Sequence, residues 1–172
     1  MQRGFVQVYT GDGKGKTTAA VGLAVRAAGH GIATYVGQFL KGQTYGEVTA
    51  LREEPQITIE QYGSEHCVRR DELSEEDRSR AAAGLEKARE AMLSGRYGIV
   101  VLDEINVAVW FGLLAEAEVL EFLDQRPGGV ELVLTGRGAT AALVRAADLV
   151  TDFMPVKHYY ERGIQARDGI ER

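Results

Sequence analysis

The chain has 172 residues, ample for one ordinary domain and too short for two. Hydrophobic residues make up 45% and charged residues 26%, a globular mix that excludes a disordered chain, and a net charge of −5 gives no support to broad binding of nucleic acid or anionic membrane. The single cysteine, Cys67, excludes an internal disulfide and a zinc site built on several thiolates. No targeting peptide is expected ahead of the strand-like run that starts at Phe5. The longest mostly apolar stretch, Ile105 to Ala115, is too short to cross a bilayer, so the cytoplasm is the expected compartment.

Phe5 to Thr10 alternates and reads as a strand. Lys16 to Ala28 places Ala20, Leu23, Ala24 and Ala27 at helical spacing and stops at Gly29-His30-Gly31. Ile32 to Leu40 predicts a second strand, Thr44 to Glu54 a short helix ended by Pro55, and Ile57 to Tyr62 a third strand. Arg69 to Asp77 is charged and reads as a surface loop, within which Ser74 and Asp77 have the spacing of a helix N-cap box. The helix that follows carries Ala81, Leu85, Ala88 and Met92 on one face and ends near Gly95. Ile99 to Leu102 is a continuous apolar run, as expected of a strand covered on both sides. Helical patterns fill 105–125 with a break near Gly112. Glu131 to Thr135 predicts a buried strand, Ala139 to Ala147 a helix and Leu149 to Val156 a last strand. Strands alternating with helices imply an α/β domain with a parallel sheet and helices on both faces.

The strongest local signal is Thr10-Gly11-Asp12-Gly13-Lys14-Gly15-Lys16-Thr17-Thr18, between a strand and a helix. That context suits a phosphate-binding loop. Glycines at 11, 13 and 15 let the backbone curl and turn its N–H groups inward, and the start of the next helix adds partial positive charge. Lys16 would reach phosphate oxygens, and the Thr17 hydroxyl would ligate a magnesium ion. The usual pattern is G-x-x-x-x-G-K-[ST]; here Thr10 holds the first glycine position, so the loop is a variant. Lys14 either touches phosphate or is a solvated loop lysine.

Ile99-Val100-Val101-Leu102-Asp103-Glu104 ends a strand in two carboxylates, where a parallel sheet lines its ligand crevice. If this strand lies beside the first, Asp103 and Glu104 sit near the phosphates and hold the magnesium ion directly or through water. In a hydrolase Glu104 could activate water, whereas a strongly reactive nucleophile would need no base. The motif alone does not separate these.

Further segments carry a resemblance. After the loop come Arg26-Ala27-Ala28-Gly29-His30-Gly31, Gln38-Phe39-Leu40-Lys41-Gly42 and Gly46-Glu47. Then follow Leu102-Asp103-Glu104-Ile105-Asn106, Leu134-Thr135-Gly136-Arg137-Gly138, Pro155-Val156-Lys157-His158, Gly163-Ile164-Gln165-Ala166-Arg167 and Gly169-Ile170-Glu171. In this order and spacing the chain resembles the ATP:corrinoid adenosyltransferases of the phosphate-loop type over nearly its whole length. The resemblance implies one such domain over 1–172, with a three-layer P-loop NTPase (RecA-like) fold and a mainly parallel sheet flanked by helices. It also implies ATP as co-substrate, Mg2+, a corrinoid substrate, a homodimer and a reductase or reduced flavoprotein as electron source, with no nucleic-acid or membrane partner. The implied reaction moves the 5′-deoxyadenosyl group of ATP to the Co(I) of a reduced corrinoid and releases triphosphate. Co(I) is itself a strong nucleophile, so the protein must position the 5′ carbon and stabilise the leaving triphosphate. The other readings of the loop are a hydrolase or kinase of the same fold, or a nucleotide-dependent corrinoid-binding module.

By this resemblance Lys16, Thr17 and Glu104 are the catalytic candidates, and Thr17, Asp103 and Glu104 the magnesium candidates. Gly13, Lys14, Gly15, Lys16 and Thr18 are assigned to the nucleotide phosphates, Gly11 and Thr17 to nucleotide binding as well, with Asp12, Arg26 and Arg137 near the nucleotide. Arg26 is otherwise a solvated helix arginine. Two departures bear on the corrinoid side. Some relatives carry an extension ahead of the first strand that helps cover the corrinoid; here that cover is expected to be absent or to come from elsewhere, such as a partner subunit. Some also place large aromatics where this chain has Gly63-Ser64-Glu65-His66-Cys67-Val68. His66 reads as no cobalt ligand, since an axial nitrogen would make reduction to Co(I) harder. His30 reads as a helix-end residue, His158 as facing ligand or solvent, and Cys67 as a semi-buried thiol. Val107, Trp110, Phe111 and Leu114 read as core or dimer contact, and Tyr159 and Tyr160 as core or corrinoid wall.

Overall fold

A computed structural model describes residues 3–66 and 70–171. The reading of Cys67, and the first residue of the expected 69–77 loop, lie outside the described residues. Among these residues six strands, β1 (Val6–Thr10), β2 (Thr34–Phe39), β3 (Ile57–Tyr62), β4 (Ile99–Asp103), β5 (Glu131–Thr135) and β6 (Leu149–Asp152), form one sheet in the order β3-β2-β4-β5-β1-β6. Every pairing is parallel. The helices are α1 (Lys16–Ala28), α2 (Gly46–Leu51), α3 (Glu75–Leu93), α4 (Ile105–Phe111), α5 (Glu116–Asp124) and α6 (Ala141–Ala146), followed by a short 3-10 turn at Tyr159–Arg162. The sheet is thus parallel throughout. Among the described residues no helix is long and apolar enough to cross a membrane.

Side chains alternate across a strand, so each buried strand feeds two cores. Val100 and Leu102 of β4 join Val8, Phe39, Leu132 and Leu134 beneath α3, α4, α5 and α6. Ile99 and Val101 face the other way, with Val36, Ile57 and Val133, against α1. Helix α1 buries Ala20, Ala24 and Ala27, whose small side chains let it lie close to the sheet. Leu23 is half-buried at the margin of this core. Helix α3 buries all four residues of its expected face, Ala81, Leu85, Ala88 and Met92. Its N-terminal box forms: the Asp77 N–H donates to Ser74 Oγ at 3.1 Å and the Ser74 N–H to Asp77 Oδ2 at 3.0 Å. The break near Gly112 is a left-handed C-cap with φ 78°.

The last strand is shorter than the predicted Leu149–Val156. Phe153 still donates its N–H to the Thr10 carbonyl at 2.9 Å, but pairing then stops ahead of Pro155, which has no N–H to give. One conditional expectation is corrected. The strand bearing Asp103 does not lie beside the first strand, because β5 separates β4 from β1. Asp103 reaches the phosphate loop because the helix leaving that loop, α1, crosses the face of β5 to pack on β4.

Candidate functional site

The C-terminal ends of the strands open on one edge of the sheet, and most of the candidate residues gather there. Gly11 (φ 91°) and Gly15 (φ 117°) adopt backbone conformations that side-chain-bearing residues rarely take. Gly13 is required for a different reason. A Cβ there would fall 2.5 Å from the Phe153 carbonyl oxygen. Its N–H donates to that carbonyl at 2.6 Å, so this amide is engaged by the segment after β6 and is not turned inward as expected. The first turn of α1 has no side-chain cap, which leaves the positive end of the helix facing the cleft.

Lys16 is buried, and its ammonium donates to the carbonyls of Gly11 and Gly13, both at 2.7 Å. The side chain lies folded across its own loop. Burial pulls its pKa below the ordinary lysine value, with Glu104 acting in the opposite sense. Thr17 is tied to the acidic strand end, its hydroxyl donating to Asp103 Oδ1 at 2.9 Å.

Asp103 is 1% exposed and accepts four hydrogen bonds. Oδ1 takes those of Thr17 and of Thr135 Oγ1 (2.6 Å), and Oδ2 takes those of Gln38 Nε2 (3.2 Å) and Lys41 Nζ (2.7 Å). Three of these donors, Gln38, Lys41 and Thr135, have no assigned role in the sequence reading. The available signal was position: each is a polar residue at or just past the end of an apolar strand. Burial alone would lower the Lys41 pKa, but the adjoining Asp103 carboxylate outweighs it and holds the ammonium above its ordinary value. Glu47 Oε1 lies 3.8 Å from the same ammonium.

Glu104 lines the cleft from the N-cap of α4. Burial raises its pKa, and the Asp103 charge adds to this, against the opposing cations Lys41, Lys16 and Arg137. Glu104 (φ 64°) and Leu40 (φ 60°) are the only non-glycine residues with positive φ among the described residues. They follow the ends of two neighbouring strands, β4 and β2, so the strained backbone coincides with the site. The turn after β5 is held from below, where Asn106 Nδ2 donates to the Gly136 carbonyl at 3.1 Å.

The cleft has two lobes that share Lys14, Thr17, Thr18, Glu104, Ile170 and Glu171. The smaller, about 350 Å³, adds Gly13, Gly15, Lys16, Arg137 and His158. The larger, about 800 Å³, adds Val21, Lys41, Tyr45 and Glu47. Asp12 and Arg137 face one another at 3.8 Å across the mouth. Lys14 is not merely solvated: its ammonium donates to the Ile170 carbonyl at 2.8 Å and lies 3.9 Å from Glu171. Arg26 is not brought into this cluster. It is exposed in the last turn of α1, about 15 Å along the helix axis from Lys16.

His158 faces the smaller lobe, whereas His66 lines a separate concavity beside Ser64 and Glu65. His30 follows the C-cap of α1, as its reading as a helix-end residue requires. Leu114 is core, while Trp110 is half exposed and carries Arg70 over its ring. Tyr160 is exposed and so is not core; Tyr159 is half-buried and donates its hydroxyl hydrogen to Glu171.

Comparison with known proteins adds an independent finding. The family model described as ATP:corrinoid adenosyltransferase BtuR/CobO/CobP matches residues 2–172. The corrinoid adenosyltransferase of Pseudomonas aeruginosa is 36% identical over 171 residues, covering 99% of this chain and 84% of that protein. Corrinoid adenosyltransferase CobA of Salmonella typhimurium is 36% identical over 99% of this chain and 86% of its own length. The Escherichia coli K12 corrinoid adenosyltransferase is 35% identical over the same shares. These matches favour adenosyl transfer over the hydrolase, kinase and binding-module readings.

Proposed function

Because this chain belongs to the ATP:corrinoid adenosyltransferase family, we infer that it transfers the 5′-deoxyadenosyl group of ATP to the cobalt of a reduced corrinoid, releasing triphosphate. The observation that carries the assignment of the site is the Thr17–Asp103 hydrogen bond of 2.9 Å, which joins the phosphate loop to the acidic strand end in one cleft. Around it, the uncapped start of α1 and the ammonium groups of Lys16, Lys14 and Arg137's guanidinium offer positive charge to a polyphosphate. Lys16 would leave its two loop carbonyls for phosphate oxygens. Lys14 would exchange the Ile170 carbonyl for the same class of ligand. Gly11, Asp12, Gly13, Gly15 and Thr18 shape the loop and the helix start against which the phosphates lie.

The donor set fits a magnesium ion. Thr17 and Asp103 present hard oxygen atoms side by side, and Glu104 borders the same cleft. Thr17, Asp103 and Glu104 would hold it, and when bound it supplies charge stabilisation to the departing triphosphate. Gln38 and Thr135 orient the Asp103 carboxylate from behind. The chemistry asks these residues for no proton transfer at the reacting carbon. They bind, align and neutralise.

We further propose that residues 1–172 act as one domain, that two copies pair, and that a reductase or reduced flavoprotein supplies the electron. Incubation with ATP, magnesium and a chemically reduced corrinoid tests the activity. The expected outcome is an alkylcobalt spectrum with intact triphosphate. Orthophosphate formed without corrinoid would overturn the assignment.

A further inference from the structure

Lys41 is the cation that the structure places where the metal reading puts a divalent ion. Its ammonium is 2.7 Å from Asp103 Oδ2, 3.2 Å from Thr17 Oγ1 and 3.8 Å from Glu47 Oε1. The ammonium lies 5.2 Å from the centroid of the Tyr45 ring. The placement is built into the backbone. Leu40, the residue before it, takes a left-handed φ of 60°, a strained conformation that turns the chain at the end of β2. Gly42 is wedged against the backbone of the next loop, where an added Cβ would fall 2.5 Å from the Ser64 carbonyl oxygen. Lys41 is therefore fixed on both sides in sequence.

We propose that Lys41 is a resident cation of the polyphosphate site: it holds Thr17 and Asp103 together before nucleotide arrives, competes with the divalent ion for their oxygens, and passes to the phosphates when the ion takes its place. This rests on the metal and nucleotide reading given above. The charge balance supports it. Asp103 and Glu47 flank the Lys41 ammonium, Glu104 adds its charge nearby, and Lys16 is turned onto the loop carbonyls. The Asp103 and Glu47 carboxylates against it would, left without Lys41, attract a divalent ion from solvent. With Lys41 present that attraction is weakened until a polyanion offers the ammonium another partner, which couples metal binding to nucleotide binding. Lys41 also borders the larger lobe beside Thr17 and Thr18, so its ammonium lies on the cleft that a phosphate would enter.

The test uses Mn2+ as the probe, followed by loss of its free electron-spin-resonance signal, on wild type, Lys41→Met, Lys41→Gln and Lys41→Arg. Each is titrated without nucleotide and again with ATP. Without nucleotide, Lys41→Met and Lys41→Gln should retain Mn2+ at least about tenfold more tightly than wild type, while Lys41→Arg, which keeps the competing charge, should not. With ATP present the advantage should shrink or reverse, because the phosphates lose a cation. Unchanged nucleotide-free Mn2+ affinity in both neutral variants would overturn the proposal, as would an equal gain in Lys41→Arg. If wild type binds ATP but retains no Mn2+ with it, the metal reading itself fails, a result distinct from the failure of the Lys41 assignment.

Discussion

Replacing Asp103 by asparagine keeps the shape of the side chain and removes its charge. The structure sets the cost. Asp103 is buried, and the side chain of its partner Lys41 is only 14% exposed. Neutralising one member of a fully buried pair typically costs about 3–5 kcal/mol, because the other charge is left unpaired. Lys41 can turn toward Glu47 and toward the cleft, so the lower end, about 3 kcal/mol, applies here. Hydrogen bonding adds to the same conclusion. Asp103 accepts from four donors, whereas an amide offers acceptors on one side only and would turn N–H groups toward the other pair. At roughly 2–4 °C per kcal/mol for a chain of this size, Asp103→Asn should lower Tm by about 6–12 °C. Thermal unfolding by circular dichroism measures this, and Lys41→Met in the same background closes a double-mutant cycle. The combined loss should fall short of the sum of the single losses by about 2 kcal/mol. An Asp103→Asn variant melting within 2 °C of wild type, or strict additivity in the cycle, would refute the reasoning.

Three further outcomes follow from the site. Lys16→Ala should lower adenosyl transfer by about 100-fold or more with the fold retained, since it removes a charge opposite the leaving group; near-normal turnover with unchanged circular dichroism would contradict the role. Gly13→Ala should destabilise the loop and weaken ATP binding, because its Cβ would fall on the Phe153 carbonyl; calorimetric titration with ATP reads the effect. Glu104→Gln should melt at or above the wild-type temperature at neutral pH. A carboxyl whose folded pKa is raised by burial binds its proton more tightly in the folded state. Its contribution is therefore most favourable below the ordinary carboxylate value and is lost as pH rises through the raised one. The gap between variant and wild type should close as pH falls, and a gap that widens on acidification would show the sign to be wrong.

How much of this was legible in advance varies by element. The loop from Thr10 to Thr18 declares itself because glycine spacing, lysine and threonine are local properties read along the chain, and Gly11 and Gly15 do take positive φ. The face of α3 was legible for the same reason: Ala81, Leu85, Ala88 and Met92 repeat at the helical period, and all four are buried. The Ser74–Asp77 box needs only three residues of separation. Local sequence thus determined which segments are strands and helices, where the phosphate loop sits and which acids end a strand.

Only the tertiary structure decided which strand ends meet. The order β4-β5-β1 cannot be read from the chain, since a parallel sheet can insert a strand between two others without altering either sequence. That insertion is why Asp103 meets Thr17 from α1 and not from an adjoining strand. Gln38, Lys41 and Thr135 converge on Asp103 from positions 65, 62 and 32 residues away, and no periodicity records a contact of that kind. The physical reason is that secondary structure is fixed by neighbours in sequence, whereas the environment of a buried charge is fixed by whatever groups the sheet brings to its end.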